Sequence, residues 1–153
     1  MLTHLNEKHN PKMVNVTDKD ITKRIAKVSG KIYMKNETKE RIKNDNLKKG
    51  AVLQTAIIGA IMASKKTSEL IPMCHNILID GVDVDIEEIE EGFELFVTAT
   101  TTAKTGIEME AIVNIINLAL KTDEIIEDIT IRPKLVKITK KRKDNANTSK
   151  WKT

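Results

Sequence analysis

Two stretches of strict alternation lie side by side near the middle of the chain. In the first, Val82, Val84 and Ile86 alternate with Asp83, Asp85 and Glu87. In the second, Phe93, Leu95, Val97 and Ala99 alternate with Glu94, Thr98 and Thr100. A period of two puts every apolar side chain on one face of an extended strand and every polar one on the other. Glu91-Gly92 between them reads as a hairpin turn, so this part of the chain is an antiparallel pair with one buried face. Whatever covers that face comes from the flanking sequence.

The flanks supply two helical patterns. Ala51–Ser64 carries Val52, Leu53, Ala56, Ile57, Ala60, Ile61 and Ala63 at helical spacing, and Gly59 with the run of alanines implies close packing. Thr105-Gly106 opens a second long helix with Ile112, Ile115, Ile116, Ala119 and Leu120 on its apolar face, expected to fray near Lys121–Glu124. Before them, Ile25, Val28, Ile32 and Met34 suggest a strand from Arg24 to Met34 with an irregularity at Gly30. Asn36 is placed to cap a short polar helix reaching about Asn44. Lys48-Lys49-Gly50 reads as a turn, and Thr67 or Ser68 starts one more helical turn that ends at Pro72. Ile129, Ile131, Leu135 and Ile138 suggest a last strand interrupted by Pro133.

The order strand, helices, strand, strand, helix, strand is the split βαβ arrangement. The expected fold class is therefore α+β, ferredoxin-like, with an antiparallel sheet and helices packed on one face. Residues 1–20 form an N-terminal arm with one short extended piece at Met13–Val16, residues 21–139 a single domain, and residues 140–153 a basic tail expected to be disordered. The sheet face left open is expected to be apolar, and so to be covered by a partner subunit.

Composition narrows the setting. The net charge of +4 arises from 26 basic against 22 acidic residues, and Lys137, Lys140, Lys141, Arg142, Lys143, Lys150 and Lys152 carry the excess, so the body itself is close to balanced. One cysteine excludes an internal disulfide and every cysteine-based zinc motif. His4, His9 and His75 are far apart, so no metal site is expected. The chain shows no charged-then-apolar leader and no apolar run approaching the ~18 residues of a membrane span, which suggests a cytoplasmic protein with no membrane partner.

Two segments carry candidate chemistry. In Leu70-Ile71-Pro72-Met73-Cys74-His75, proline stops the helical pattern and restricts the residue before it, so a specially shaped turn presents Cys74 and His75. A capping or buried histidine beside an inert thiol explains the same residues about as well. In Lys104-Thr105-Gly106-Ile107-Glu108-Met109-Glu110, a helix start gathers N–H groups and two acidic side chains. Glu108 and Glu110, two apart, cannot share one helix face, so at least one of them turns away from solvent. Lys49, Lys65, Lys66 and Lys104 lie at element boundaries where they could meet phosphates. No glycine-rich phosphate loop or nucleophile elbow is present.

Together, these segments resemble the two signature segments of the cyclic pyranopterin monophosphate synthase family of molybdenum cofactor biosynthesis. Leu2-Thr3-His4, Met13-Val14-Asn15-Val16, Lys49-Gly50 and Ala63-Ser64-Lys65-Lys66-Thr67 resemble further blocks of that family in the same order. The resemblance covers about residues 2–120. It implies a lyase that converts (8S)-3′,8-cyclo-7,8-dihydroguanosine 5′-triphosphate to cyclic pyranopterin monophosphate and pyrophosphate. It also implies a hexamer built as a trimer of dimers, with sites at the dimer interface and no cofactor. Carried over by position, Met73, Cys74, His75, Met109 and Glu110 are substrate-binding, while Lys49, Glu108 and Glu124 are catalytic.

The chain also departs from the family pattern. Asn76 stands where the family has proline, Ala51 replaces an aspartate, and Asn15 replaces an early aspartate. The family's Asp-x-x-Lys pair falls on Glu124-Ile125-Ile126-Glu127, and Glu127 reverses the lysine's charge. A non-catalytic homologue that binds the nucleotide or a sister subunit is therefore the alternative. A nucleic-acid module ranks lower, because aromatics are only 3% of the chain and lack the spacing of a base-stacking sheet.

Overall fold

The computed structural model describes residues 4–44, 51–125 and 141–142. Strand β1 (Thr22–Tyr33) pairs along its whole length with β3 (Gly92–Ala103), from Thr22 opposite Ala103 to Tyr33 opposite Gly92. Strand β2 (Gly81–Ile89) pairs with the other edge of β3, and β4 (Lys141–Arg142) lies antiparallel to β1 beside Ala26 and Lys27. The sheet order is β2-β3-β1-β4 with every pairing antiparallel, which is the ferredoxin-like topology. Between β1 and β2 come α1 (Asn36–Lys43), α2 (Val52–Ser64) and α3 (Thr67–Leu70); α4 (Glu108–Ile125) follows β3.

One face of the sheet makes the core. Ala26, Val28 and Ile32 of β1 and Phe93, Leu95, Val97 and Ala99 of β3 are buried, as the alternation requires, against Val52, Ala56 and Ala60 of α2 and Ala111, Ile115 and Leu118 of α4. Helices α2 and α4 approach closely because their contact is lined by small residues. A Cβ at Gly59 would lie 3.2 Å from the Lys121 stem, and one at Gly30 would lie 3.2 Å from Ile115 Cδ1.

Gly30 therefore does not mark an irregularity: the register of β1 runs through it unbroken, and the glycine makes room for α4 instead. Asn36 is not the cap of α1 either. Lys35 takes that position without a side-chain hydrogen bond, and Asn36 is the first helical residue. Helix α4 does not fray at Lys121–Glu124 but continues through Ile125. The strand expected over Ile129–Ile138 and the turn at Lys48-Lys49-Gly50 lie outside the described residues, whereas Lys141–Arg142, in the expected tail, pair with β1.

The open face of the sheet also differs from expectation. It carries Lys23, Lys27 and Lys31 on β1, Glu94, Thr98, Thr100 and Thr102 on β3, and Asp83, Asp85 and Glu87 on β2, with Ile25, Tyr33, Ile89 and Phe96 among its apolar members. The exposed apolar side chains lie mainly on the helical layer, at Ile58 and Met62 of α2 and Met109, Ile116 and Leu120 of α4. Alternation alone specifies that one face avoids water; it does not make the other face apolar.

Candidate active site

The chain leaves α3 through a tight turn. Ile71 is extended (φ −112, ψ 113), as a residue before proline must be, and the Cys74 N–H donates to the Ile71 carbonyl at 3.3 Å. Pro72 occupies the second position of this four-residue turn and Met73 the third, with φ +64. Those are the features of a type II turn, whose third position ordinarily requires glycine or asparagine. A methionine held in the left-handed region costs about 1–3 kcal/mol, and such strain concentrates where a backbone serves function. The turn leaves the Met73 side chain 40% exposed, with Cys74 and His75 half-buried behind it.

His75 is fixed by a distant segment. Its Nε2 lies 2.7 Å from the Val14 carbonyl oxygen of the N-terminal arm. The segment after His75 is anchored by Thr101, fully buried on β3, whose hydroxyl donates to the Leu78 carbonyl at 2.5 Å, and by Thr102, whose hydroxyl donates to Asp80 Oδ2 at 2.8 Å.

The start of α4 brings the acids to the same region. Of the two, Glu110 is the one turned inward, at 5% exposure, while Glu108 is partly exposed. Burial pushes the Glu110 carboxyl above its ordinary range, the residue's own backbone N–H partly opposes that, and the charge of Glu108 adds to it. Glu108 folds back over Gly106, where a Cβ would collide with its carboxylate. Burial also raises the Cys74 thiol, and the nearby charge of Glu110 raises it further. The thiol is thereby kept protonated, which suits a packing or contact role and not a nucleophile. Met109 is 42% exposed beside these acids. The arrangement is a buried carboxyl able to hold or release a proton, a histidine and a second carboxylate, with two methionines offering apolar contact. Among the described residues, no three His, Cys, Asp or Glu side chains group so as to hold a metal ion, and no helix is long and apolar enough to cross a membrane.

Comparison with known proteins gives the family. The MoaC family profile matches residues 13–143. The chain belongs to the MoaC family. Among its relatives, the cyclic pyranopterin monophosphate synthase of Helicobacter pylori strain G27 is 56% identical over 117 residues, covering 75% of this chain and 74% of that protein. The strain J99 protein of the same name is 57% identical over 116 residues, covering 74% and 73%. The cyclic pyranopterin monophosphate synthase of Campylobacter jejuni serotype O:6 is 47% identical over 152 residues, covering 98% of this chain and 97% of that one.

Of the positions singled out by resemblance to the MoaC family, the fold collects Met73, Cys74 and His75 on the turn and Glu108, Met109 and Glu110 on the helix start. Lys49 lies outside the described residues. Glu124 sits in the last turn of α4, fourteen residues beyond Glu110 on one continuous helix. At about 1.5 Å per residue the two are roughly 21 Å apart along the axis, so one helix does not bring them together. Of the boundary lysines, Lys65 and Lys66 are exposed at the junction of α2 and α3, and Lys104 Nζ donates to the Thr17 carbonyl at 2.6 Å. Sequence reasoning did not find the anchoring contributions of Thr101, Val14 and Thr17. The last two act through main-chain carbonyls, which any residue type supplies.

Proposed function

We propose that this MoaC-family chain is a cyclic pyranopterin monophosphate synthase, a lyase of molybdenum cofactor biosynthesis. It converts (8S)-3′,8-cyclo-7,8-dihydroguanosine 5′-triphosphate to cyclic pyranopterin monophosphate and pyrophosphate. The observation that carries this reading is the convergence of the strained Met73-Cys74-His75 turn with the buried Glu110 carboxyl, in a chain that matches the family over most of its length.

The chemistry fits the residues. The guanine-derived ring presents N–H groups that carboxylates can accept, and the exposed Met73 and Met109 side chains offer apolar contact to its faces. Glu110, whose carboxyl burial raises above its ordinary range, is suited to holding a proton and passing it on, with the Glu108 carboxylate beside it. Lys49 supplies a positive charge for the triphosphate. Glu124 of a second protomer takes the family's aspartate position, with one more methylene of reach. The 21 Å separation within one chain supports a site at a protomer interface, in a homo-oligomer we take to be a hexamer arranged as a trimer of dimers. The exposed Ile58, Met62, Ile116 and Leu120 give the helical layer apolar surface for such contacts. The setting is cytoplasmic.

Glu127 in place of the family lysine favours a second reading, a homologue that binds the nucleotide without turning it over. Incubation of the purified protein with the cyclic dihydroguanosine triphosphate, followed as pyrophosphate release, separates the two. Turnover supports the synthase; tight binding without pyrophosphate supports the second reading.

A further inference from the structure

The N-terminal arm is tied to both halves of the site by side chains that reach it from far along the chain. His75 Nε2 meets the Val14 carbonyl at 2.7 Å, and Lys104 Nζ meets the Thr17 carbonyl at 2.6 Å. Between these points the arm is shaped by its own contacts: the Thr17 N–H donates to Asn15 Oδ1 at 2.8 Å and the Lys19 N–H to the Val16 carbonyl at 3.1 Å. Val14 and Val16 are half-buried while Met13, Asn15 and Thr17 face solvent, so this short piece lies against the body.

We infer that residues 14–17 act as a strap that fixes His75 as its Nε2–H tautomer, leaving Nδ1 as the ring atom available for chemistry. A carbonyl oxygen can only accept, so the nitrogen bonded to Val14 must carry the hydrogen. In the neutral ring, Nδ1 is then a lone pair and an acceptor. On protonation Nε2 still donates to Val14, so the strap stays latched and only Nδ1 changes, from acceptor to donor. If the substrate is the cyclic dihydroguanosine triphosphate, as the proposed function holds, neutral His75 suits one of its N–H or O–H groups and not a phosphate oxygen, which has no hydrogen to give. Val14 is thus a positioning residue acting through its main chain, and Lys104 a second anchor that joins the strap to the segment leading into α4.

The test uses the full-length protein without substrate, so its outcome is independent of whether the chain is a synthase. Nitrogen-15 spectra of labelled histidine, with the His75 signals assigned by their loss in His75→Gln, should show a protonated Nε2 and an unprotonated Nδ1 in the neutral ring. Trypsin cleavage at Lys12 and Lys19, which flank the strap, reports its attachment. His75→Asn, whose amide matches the Nδ1 position, and Lys104→Met should each speed cleavage roughly 2- to 10-fold, the size of one net hydrogen bond. His75→Gln, whose amide can reach Val14, should restore the original rate. An Nδ1–H tautomer overturns the inference, and so does cleavage that His75→Asn and Lys104→Met leave unchanged.

Discussion

Gly106→Ala separates the placement of Glu108 from the stability of the fold. A Cβ at Gly106 would lie 2.6 Å from the Glu108 carboxyl carbon, where ordinary contact begins at about 3.4 Å. The carboxyl carbon must therefore retreat by at least roughly 0.8 Å, and Oε2, which lies nearer still, by more; misplacement of about 1 Å at a reacting group costs on the order of 10²-fold in rate. The backbone has no objection to alanine, because Gly106 does not adopt the positive φ that reserves a site for glycine. Loss of glycine's freedom in the unfolded chain should even add about 0.4–1 kcal/mol of stability. The expected result is a Tm unchanged or slightly raised, with kcat for pyrophosphate release down about 10²-fold. Glu108→Gln should show a comparable loss, and combining the two should add little, since the first change has already displaced the group that the second removes. Full activity in Gly106→Ala would refute the role of Glu108, while a large fall in Tm would show that the glycine serves the backbone.

Two further changes probe the surroundings. Glu110→Gln removes a charge whose burial the fold opposes. Because the folded carboxyl is raised above its unfolded value, its ionised form costs stability at pH above the folded value, and the cost disappears as pH falls below the unfolded one. The variant should be more stable than the parent at neutral pH, should lose that advantage in acid, and should titrate Cys74 at lower pH, all measurable by thermal melts and thiol reactivity. Thr101→Val removes the donor to the Leu78 carbonyl at a fully buried position and should destabilise by about 1–3 kcal/mol, or about 2–4 °C in Tm per kcal/mol, with loosening of the segment after His75 in hydrogen exchange.

What the sequence could disclose followed the physics of each element. Strands β2 and β3 were legible because one buried face imposes alternation, and α2 because its alanines and glycine mark close packing. Pro72 announced the turn, since proline restricts both itself and its predecessor. The parity of Glu108 and Glu110 implied that one turns inward, and tertiary packing selects Glu110. Other features depend on partners remote in sequence. Gly30 looked like a strand defect because Ile115, the side chain it accommodates, is on another element. Helix α4 runs on past the polar stretch at Lys121–Glu124 because such residues can continue a helix that packing has already fixed. The latching of the arm had no residue signature at all, since the acceptors are carbonyls.

The proposed site takes its Glu110 from one protomer and its Glu124 from another. Mixing Glu110→Gln and Glu124→Gln protomers under conditions of subunit exchange tests it most directly. Each variant alone should be nearly inactive in pyrophosphate release. Random pairing should then restore about one quarter of the parent activity, because half of the pairs are mixed and each mixed pair carries one intact site. A mixture no more active than its components would contradict the shared site.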